Sequence, residues 1–111
     1  MKLTLLGTGC PSIDYKRCGS SNLISSKKTK ILVDCGSGVT QRLNQSGNSS
    51  TNIDALFLTH LHTDHVIDLY QLIISSWHSN RVSIWKIYGP KGTKKFVDKI
   101  FLAWKSEREL R

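Results

Sequence analysis

Apolar and polar residues alternate along this chain with two periods, one typical of β-strands and one typical of helices. Apolar or β-branched runs at 2–6, 21–25 and 30–34 predict three strands, and the polar turn between the last two predicts a hairpin. The run at 53–59 is nearly all apolar, which is typical of a strand buried on both faces. A further strand is predicted at 82–88, where the turn sequence GPKG ends it.

Helical spacing occurs between and after these runs. A short helix is predicted to begin within 39–43. Apolar residues spaced by three and four predict a longer amphipathic helix from Val66, with Thr63 or Asp64 as its N-cap. A last helix is predicted to begin near Thr93. The apolar faces of the two long helices comprise positions 66, 69, 70, 73, 74 and 77, and then Phe96, Val97, Ile100, Phe101 and Trp104.

The alternation of strands and helices predicts one layered α/β domain over 1–111. The polar segment 44–52 is rich in turn-forming residues and is predicted to be a loop. Trp77, Trp85 and Trp104 are in phase with apolar neighbours, so they are expected at the core or its edge. In sheets of this class, ligands gather at the carboxyl ends of the strands.

The sequence FLTHLHTDHVI, residues 57–67, places three histidines and an aspartate at the end of the buried strand. On an extended backbone His60 and His62 point to the same side, so they can share one metal ion. Asp64 and His65 fall where the chain turns into the helix, so their side chains are expected to diverge and to reach a second ion nearby. Imidazole and carboxylate ligands suit zinc. The cluster therefore predicts a metal site.

The remaining composition is that of an ordinary globular protein. The amino terminus lacks the apolar segment of a signal peptide, and no run is long enough to span a membrane. Cys10, Cys18 and Cys35 are an odd number without a C-x-x-C spacing, which favours free thiols in a reducing compartment. A cytoplasmic location without membrane association is therefore expected.

The charge is strongly positive, with sixteen Lys and Arg against eight Asp and Glu and a net charge of +8. Lysines concentrate in KKTK at 27–30 and in KGTKK at 91–95. This excess is compatible with an anionic partner such as a nucleic acid. It is equally typical of loops that keep a small domain in solution.

Several motifs resemble one known family. THLHTDH is similar to the H-x-H-x-D-H signature of the metallo-β-lactamase fold, a four-layer αββα arrangement in which two sheets are flanked by helices. The segments LGTGCP, RCGSSNLI, ILVDCGSGVTQRL and IYGPKGT follow the order found in the ribonuclease Z branch, which also includes arylsulfatase-like and cyclic-nucleotide phosphodiesterase relatives. The resemblance extends from residue 1 to about residue 97.

The resemblance implies a role for each residue of the cluster. His60 and His62 would bind the first of two zinc ions, and Asp64 and His65 the second. Asp64 would also steer the proton of the attacking water and so act as a catalytic residue. Asp34 is similar to an aspartate that supports the metal site in this family. From the residues alone, Asp34 has the alternative role of a turn or cap in DCGSG.

The activity implied is hydrolysis of a phosphodiester by a metal-bound hydroxide in a two-zinc site. In enzymes of the ribonuclease Z type, the substrate is precursor tRNA, cut at its 3′ end, and the full-length enzyme is expected to be a homodimer. Two alternatives stay open. One is a related hydrolase of small esters, of the cyclic-nucleotide phosphodiesterase or arylsulfatase type. The other is a non-catalytic half-domain that pairs with a partner chain or binds nucleic acid through its lysines.

The chain departs from the family in one respect. Family members carry further metal ligands, including a bridging aspartate, in a second half of the fold. This chain ends at Arg111 within a predicted helix, and its one other histidine, His78, is expected to be a surface residue. The chain is therefore expected to be the amino-terminal half of the fold, apparently truncated in a helix, and to be inactive alone.

Overall fold

A mixed five-stranded sheet forms the centre of the computed structural model, which describes residues 1–110. Its strands lie in sequence order across the sheet. They are β1 (Lys2–Gly7), β2 (Ser21–Ser25), β3 (Lys30–Val33), β4 (Ala55–Phe57) and β5 (Ile87–Tyr88). β1, β2 and β3 pair antiparallel, which confirms the predicted hairpin, whereas β3, β4 and β5 are parallel. The carboxyl ends of the three parallel strands therefore meet at one edge.

Five α-helices connect or follow the strands. They are α1 (Val39–Gln45), α2 (Thr63–Val66), α3 (Leu69–His78), α4 (Thr93–Ala103) and α5 (Lys105–Glu109). The predicted helix at 39–43 is confirmed, and so is the start of the last helix at Thr93, although that helix ends at Ala103 and α5 follows it. No helix among residues 1–110 is long and apolar enough to cross a membrane.

The core lies between one face of the sheet and the helices. Leu23, Leu32 and Leu56 occupy neighbouring positions on three adjacent strands, because Leu23 pairs with Leu32 and Leu32 with Leu56. All three are buried, and they cluster with buried residues of α1 and α3. The partly buried face of α4 packs against the same cluster. The sequence pattern thus placed the main apolar contacts correctly.

Two predicted strands are shorter than expected. The run at 53–59 forms a strand only at Ala55–Phe57, and Phe57 is 42% exposed, so burial on both faces was wrong at this position. The run at 82–88 forms a strand only at its last two residues, and Val82 is 99% exposed. Here the Arg81 side chain donates to the carbonyl oxygens of Ser83 and Ile84. These bonds hold the backbone in a loop where no strand is available for pairing.

The helix predicted from Val66 is two helices. The break lies at Ile67 and Asp68, where the Asp68 backbone N–H donates to the Cys35 carbonyl oxygen at 3.1 Å. The N-caps are His62 and Asp68, and neither makes a side-chain cap, so the predicted caps at Thr63 or Asp64 were wrong.

Two smaller expectations also need correction. Residues 44–52 contain the end of α1 and a 3₁₀ helix, Ser50–Asn52, where the sequence predicted only a loop. Trp77 and Trp104 are about half exposed and lie outside the core, whereas Trp85 is partly buried against it. Helical periodicity alone does not report how much neighbouring structure covers a face.

The opposite face of the sheet is apolar and open. Leu5, Val33, Phe57 and Tyr88 share this face, because cross-strand partners point to the same side. Leu3 and Leu5 on the edge strand β1 are 63% and 64% exposed. The Phe57 and Tyr88 rings form a pair with centroids 4.9 Å apart. One layer of helices therefore leaves the second sheet face uncovered.

We expect this open face to make the chain associate and bind a hydrophobic dye. Replacing Leu3 and Leu5 with lysine should reduce dye fluorescence and shift the population toward monomer. Val82→Lys, at a still more exposed apolar residue, should change neither, because Val82 lies outside the sheet. Light scattering and dye titration measure both effects. A wild-type chain that stays monodisperse and binds no dye would contradict the expectation.

Candidate metal centre

The three histidines and Asp64 lie in the loop that follows β4 and in the first turn of α2. Leu58 still pairs with the sheet, since its N–H donates to the Tyr88 carbonyl oxygen at 2.7 Å. Beyond it the chain leaves the sheet, and His62 has an extended backbone at the N-cap of α2. The edge where the parallel strands end therefore carries the cluster, as the sequence predicted.

The histidine rings lie side by side. The His60 and His62 ring centroids are 4.7 Å apart, which agrees with the expectation that they share one side. The His60 and His65 centroids are closer, at 4.1 Å. His65 therefore does not diverge from the first pair as expected, because the short loop and the first turn of α2 fold it back toward His60.

The Asp34 carboxylate orients the His65 ring, and the Asp64 carboxylate lies near the other ring nitrogen. Its Nδ1 lies 2.8 Å from Asp34 Oδ2, and its Nε2 lies 3.4 Å from Asp64 Oδ2. A short contact from Nδ1 to a buried carboxylate fixes the ring orientation and favours the tautomer with the proton on Nδ1. The Nε2 atom then presents its lone pair toward Asp64 and the cluster.

Asp34 is the centre of the hydrogen-bond network beneath the cluster. It directly follows β3, its side chain is almost completely buried, and its backbone has φ of 62°. Aspartate tolerates this left-handed conformation better than most residues. The Asp34 N–H donates to the Phe57 carbonyl oxygen at 2.8 Å, and the buried Ser21 hydroxyl donates to the Asp34 carbonyl oxygen at 2.8 Å. These bonds aim the carboxylate at the loop after β4.

Thr59 links Asp34 to His60. Its N–H donates to Asp34 Oδ1 at 2.8 Å, and its hydroxyl donates to Asp34 Oδ2 at 2.7 Å. The same hydroxyl oxygen lies 3.0 Å from His60 Nδ1. Sequence reasoning assigned no role to Thr59, although it is the first residue of THLHTDH. The sequence feature that could have indicated this role is the position of Thr59 directly before His60.

Two small residues after Asp34 bring α2 close to the sheet. The Cys35 N–H donates to the His65 carbonyl oxygen at 2.7 Å. A Cβ atom added at Gly36 would lie 2.5 Å from the Asp64 carbonyl oxygen, so any side chain there would push the cluster away. Cys35 is fully buried, and burial, followed by the nearby Asp68 and Asp34 charges, raises the pKa of its thiol well above the ordinary value. Cys35 is thus a neutral packing residue.

His78 lies away from this network, and two of the three cysteines lie beside it. His78 is exposed at the end of α3 and its ring contacts Trp77, so it is a surface residue as expected. Cys10, Cys18 and Cys35 are free thiols in the structure. Cys10 and Cys18 line a cleft of about 660 Å³ beside the cluster, together with His62 and Asp64.

The nitrogen and oxygen atoms of the cluster side chains are of the kinds that bind zinc. His60 and His65 each engage Nδ1 in a hydrogen bond within the protein, which leaves Nε2 available for a metal ion. His62 and Asp64 add an imidazole and a carboxylate, both common zinc ligands. Within residues 1–110, no three His, Cys, Asp or Glu side chains are already arranged to hold one ion. The assignment of four ligands to two ions stays a prediction.

The family described as Anti-Pycsar protein Apyc1 matches residues 1–104. The chain belongs to this family. Among curated relatives of the Apyc1-family chain, ribonuclease Z of Mycolicibacterium gilvum is 42% identical over 107 residues, which are 94% of this chain and 37% of the relative. Ribonuclease Z of Mycobacterium marinum is 39% identical over 94% of this chain and 38% of the relative.

Solved structures agree with this placement of the Apyc1-family chain. Human tRNase Z, short form, superposes with a TM-score of 0.82 and 31% identity over 93% of this chain and 39% of that chain. The metallo-β-lactamase fold protein YhfI of Bacillus subtilis gives a TM-score of 0.77 and 27% identity over 87% and 39% of the two chains. The metallo-β-lactamase fold and the ribonuclease Z resemblance are therefore confirmed. This fold and family imply metal ions as cofactors.

The comparisons also define how much of the fold is present. The chain spans about 37% of the length of the curated relatives that it matches. It corresponds to the part of the αββα fold that supplies one sheet and its helices.

Proposed function

We propose that this chain supplies the amino-terminal metal-binding part of a zinc-dependent phosphodiesterase of the ribonuclease Z type, which cuts precursor tRNA at its 3′ end. The observation that carries the proposal is the contact of His65 Nδ1 with the buried Asp34 carboxylate, beside the packed rings of His60 and His62. In a surface histidine cluster without a function, no buried carboxylate would be expected to orient one of the rings. Carboxylate–histidine pairs of this kind are typical of metal sites.

Each residue of the cluster has a proposed part. His60 and His62 would hold one zinc ion, and Asp64 and His65 a second. Asp34 orients His65 and, through Thr59, the His60 ring. Asp34 is therefore a positioning residue in this proposal, and its carboxylate stays behind the ligands.

When bound, two zinc ions activate a water molecule near neutral pH and neutralise charge on a phosphodiester. The Asp64 carboxylate is about one-fifth exposed and lies at the cleft beside His62, so it is placed to accept a proton from the attacking water. The buried side of the site, formed by Asp34 and Cys35, excludes solvent behind the ligands.

The positive charge supports a polyanionic substrate. The net charge of +8 favours association with RNA over association with a neutral ester. A cleft of about 660 Å³ lies beside His62 and Asp64. Both tRNase Z and ribonuclease Z among the similar proteins are named for such an activity. A homodimeric full-length enzyme is part of the same proposal.

A second candidate is hydrolysis of a small ester, of the cyclic-nucleotide phosphodiesterase or arylsulfatase type. The observation that favours it is the family match, because the description Anti-Pycsar protein Apyc1 names no tRNA. The metal chemistry would be the same, and only the groups that contact the substrate would differ.

The substrate is tested by offering both classes to the full-length protein that contains this amino-terminal part, in the presence of zinc. We expect a precursor tRNA with a 3′ trailer to be cut once, on the 3′ side of the discriminator position, as mapped by gel electrophoresis of end-labelled RNA. RNA affinity should fall steeply as salt increases. Turnover of a cyclic nucleotide or a neutral aryl ester, together with no RNA binding at low salt, would instead establish the second candidate.

A further inference from the structure

The outer face of α4 carries exposed lysines that the metal chemistry does not use. Lys94, Lys95 and Lys99 line a shallow depression of about 480 Å³, together with Gly92, Asp98 and Leu102. Lys94 forms a surface ion pair with Asp98 at 2.8 Å. Lys95 and Lys99 form no ion pair within residues 1–110, so their charges are available to a ligand.

The depression adjoins the metal centre. A side chain added at Gly92 would lie 3.7 Å from Leu61 Cδ1, so the start of α4 contacts the loop between His60 and His62. Leu61 in turn lines the cleft that contains His62 and Asp64. The cleft and the lysine face are therefore linked through the neighbouring residues Leu61 and Gly92.

The spacing and polarity of this face suit a phosphate backbone. Lys95 and Lys99 are one helical turn apart and thus about 6 Å apart along the helix axis. The first turn of α4 has no acidic residue, so the partial positive charge of the helix start adds to that of the lysines. Lysines on a stable helix provide a row of point charges that follows a polyanion without selecting its sequence.

We propose that the depression on α4, with Lys95 and Lys99 at its centre, binds the RNA backbone next to the scissile phosphodiester. This surface rests on the proposed function and specifies how the substrate is held. Its role is to position the RNA strand, since none of these lysines touches the metal cluster. The site would thus prefer a polynucleotide over a mononucleotide that is too short to reach α4.

The chain offers a matched control for this surface. Lys27 and Lys28 are also exposed, but they lie in the β2–β3 hairpin, at the edge of the sheet opposite the cluster. Lys95→Gln with Lys99→Gln and Lys27→Gln with Lys28→Gln change the net charge equally. A difference between the two double variants therefore reports position and not overall charge.

The test measures binding of a short single-stranded RNA to the native protein and both double variants across a salt series. Loss of two phosphate contacts should lower the slope of log affinity against log salt by about 1.4. At about 0.1 M salt the same loss corresponds to a fall in affinity of about 25-fold. We expect this for the α4 variant and little change for the hairpin variant. Equal losses in both variants, or no loss in the α4 variant, would overturn the proposal.

A second measurement separates this surface from the catalytic proposal. Turnover of bis-para-nitrophenyl phosphate, which is too small to reach α4, should be unchanged in the α4 variant. A loss of that turnover would indicate damage to the metal site and would overturn a role in RNA binding alone. A native protein that never cuts RNA would contradict the proposed function. Selective loss of RNA binding in the α4 variant would still establish the surface.

Discussion

Asp64→Ala should abolish hydrolysis while leaving the fold intact. The Asp64 carboxylate is the proposed ligand of the second ion and the proposed proton acceptor, so one substitution removes both roles. A rate loss of about 10²–10⁴-fold is expected from the proton acceptor alone. The side chain is partly exposed and its ionisable neighbour is His65, with Nε2 at 3.4 Å, so the cost in stability should be about 1 kcal/mol or less. Zinc content, phosphodiester turnover and thermal unfolding of the native protein measure the three effects.

His78→Ala is the control for the Asp64 substitution. His78 is exposed at the end of α3 and lies outside the cluster, so its replacement should leave zinc content and turnover nearly unchanged. If Asp64→Ala kept both its zinc and its rate, or if His78→Ala lost them, the ligand assignment would be wrong.

Asp34→Asn should weaken zinc binding without unfolding the protein. Asparagine has the same shape and tolerates the positive φ of this position, so the backbone should persist. The amide carries no charge and holds the His65 imidazole less firmly. Loss of such a supporting carboxylate typically costs about 10–100-fold in metal affinity. Competition with a zinc chelator measures the change directly.

Asp34→Ala should also destabilise the fold. The substitution leaves the Thr59 N–H and the His65 ring without their buried acceptor. It also places alanine, which has no polar side chain, at a position with positive φ. The unpaired polar groups alone cost about 1–3 kcal/mol each.

Asp54→Asn is the matched control for Asp34→Asn. Asp54 also accepts a backbone N–H, from Lys30 at 2.7 Å, but it lies at the opposite edge of the same strand pair. Its replacement should leave zinc affinity unchanged. Equal zinc affinity in Asp34→Asn and Asp54→Asn would show that Asp34 serves only the turn after β3, which was the alternative role given by the sequence.

The local sequence pattern predicted the structure correctly where residues close in sequence determine it. The hairpin of β2 and β3 follows from two alternating runs and a polar turn, and the start of α4 follows from the Gly-containing turn before Thr93. The location of His60 and His62 at the end of β4 follows from an apolar run that ends in metal-type ligands. In each case the determining interactions are close in sequence.

The local sequence pattern gave wrong or incomplete predictions where residues distant in sequence determine the structure. Residues 82–85 have strand-like composition but form no strand, and the Arg81 side chain donates to the carbonyl oxygens of Ser83 and Ile84 instead. The long helix breaks at Asp68 because the backbone of Cys35, remote in sequence, accepts its N–H. Thr59 gained its role from Asp34, which is 25 residues away.

By itself, the sequence determined the element order, the apolar face of each main helix and the metal-type side chains at the end of β4, because these depend on residue type and short-range period. Only the tertiary structure decided that Asp34 orients His65, that Thr59 joins Asp34 to His60, and that the start of α4 contacts the Leu61 loop. Those contacts arise when parallel strands bring their carboxyl ends to one edge. Strand pairing between remote segments is not encoded in any local period.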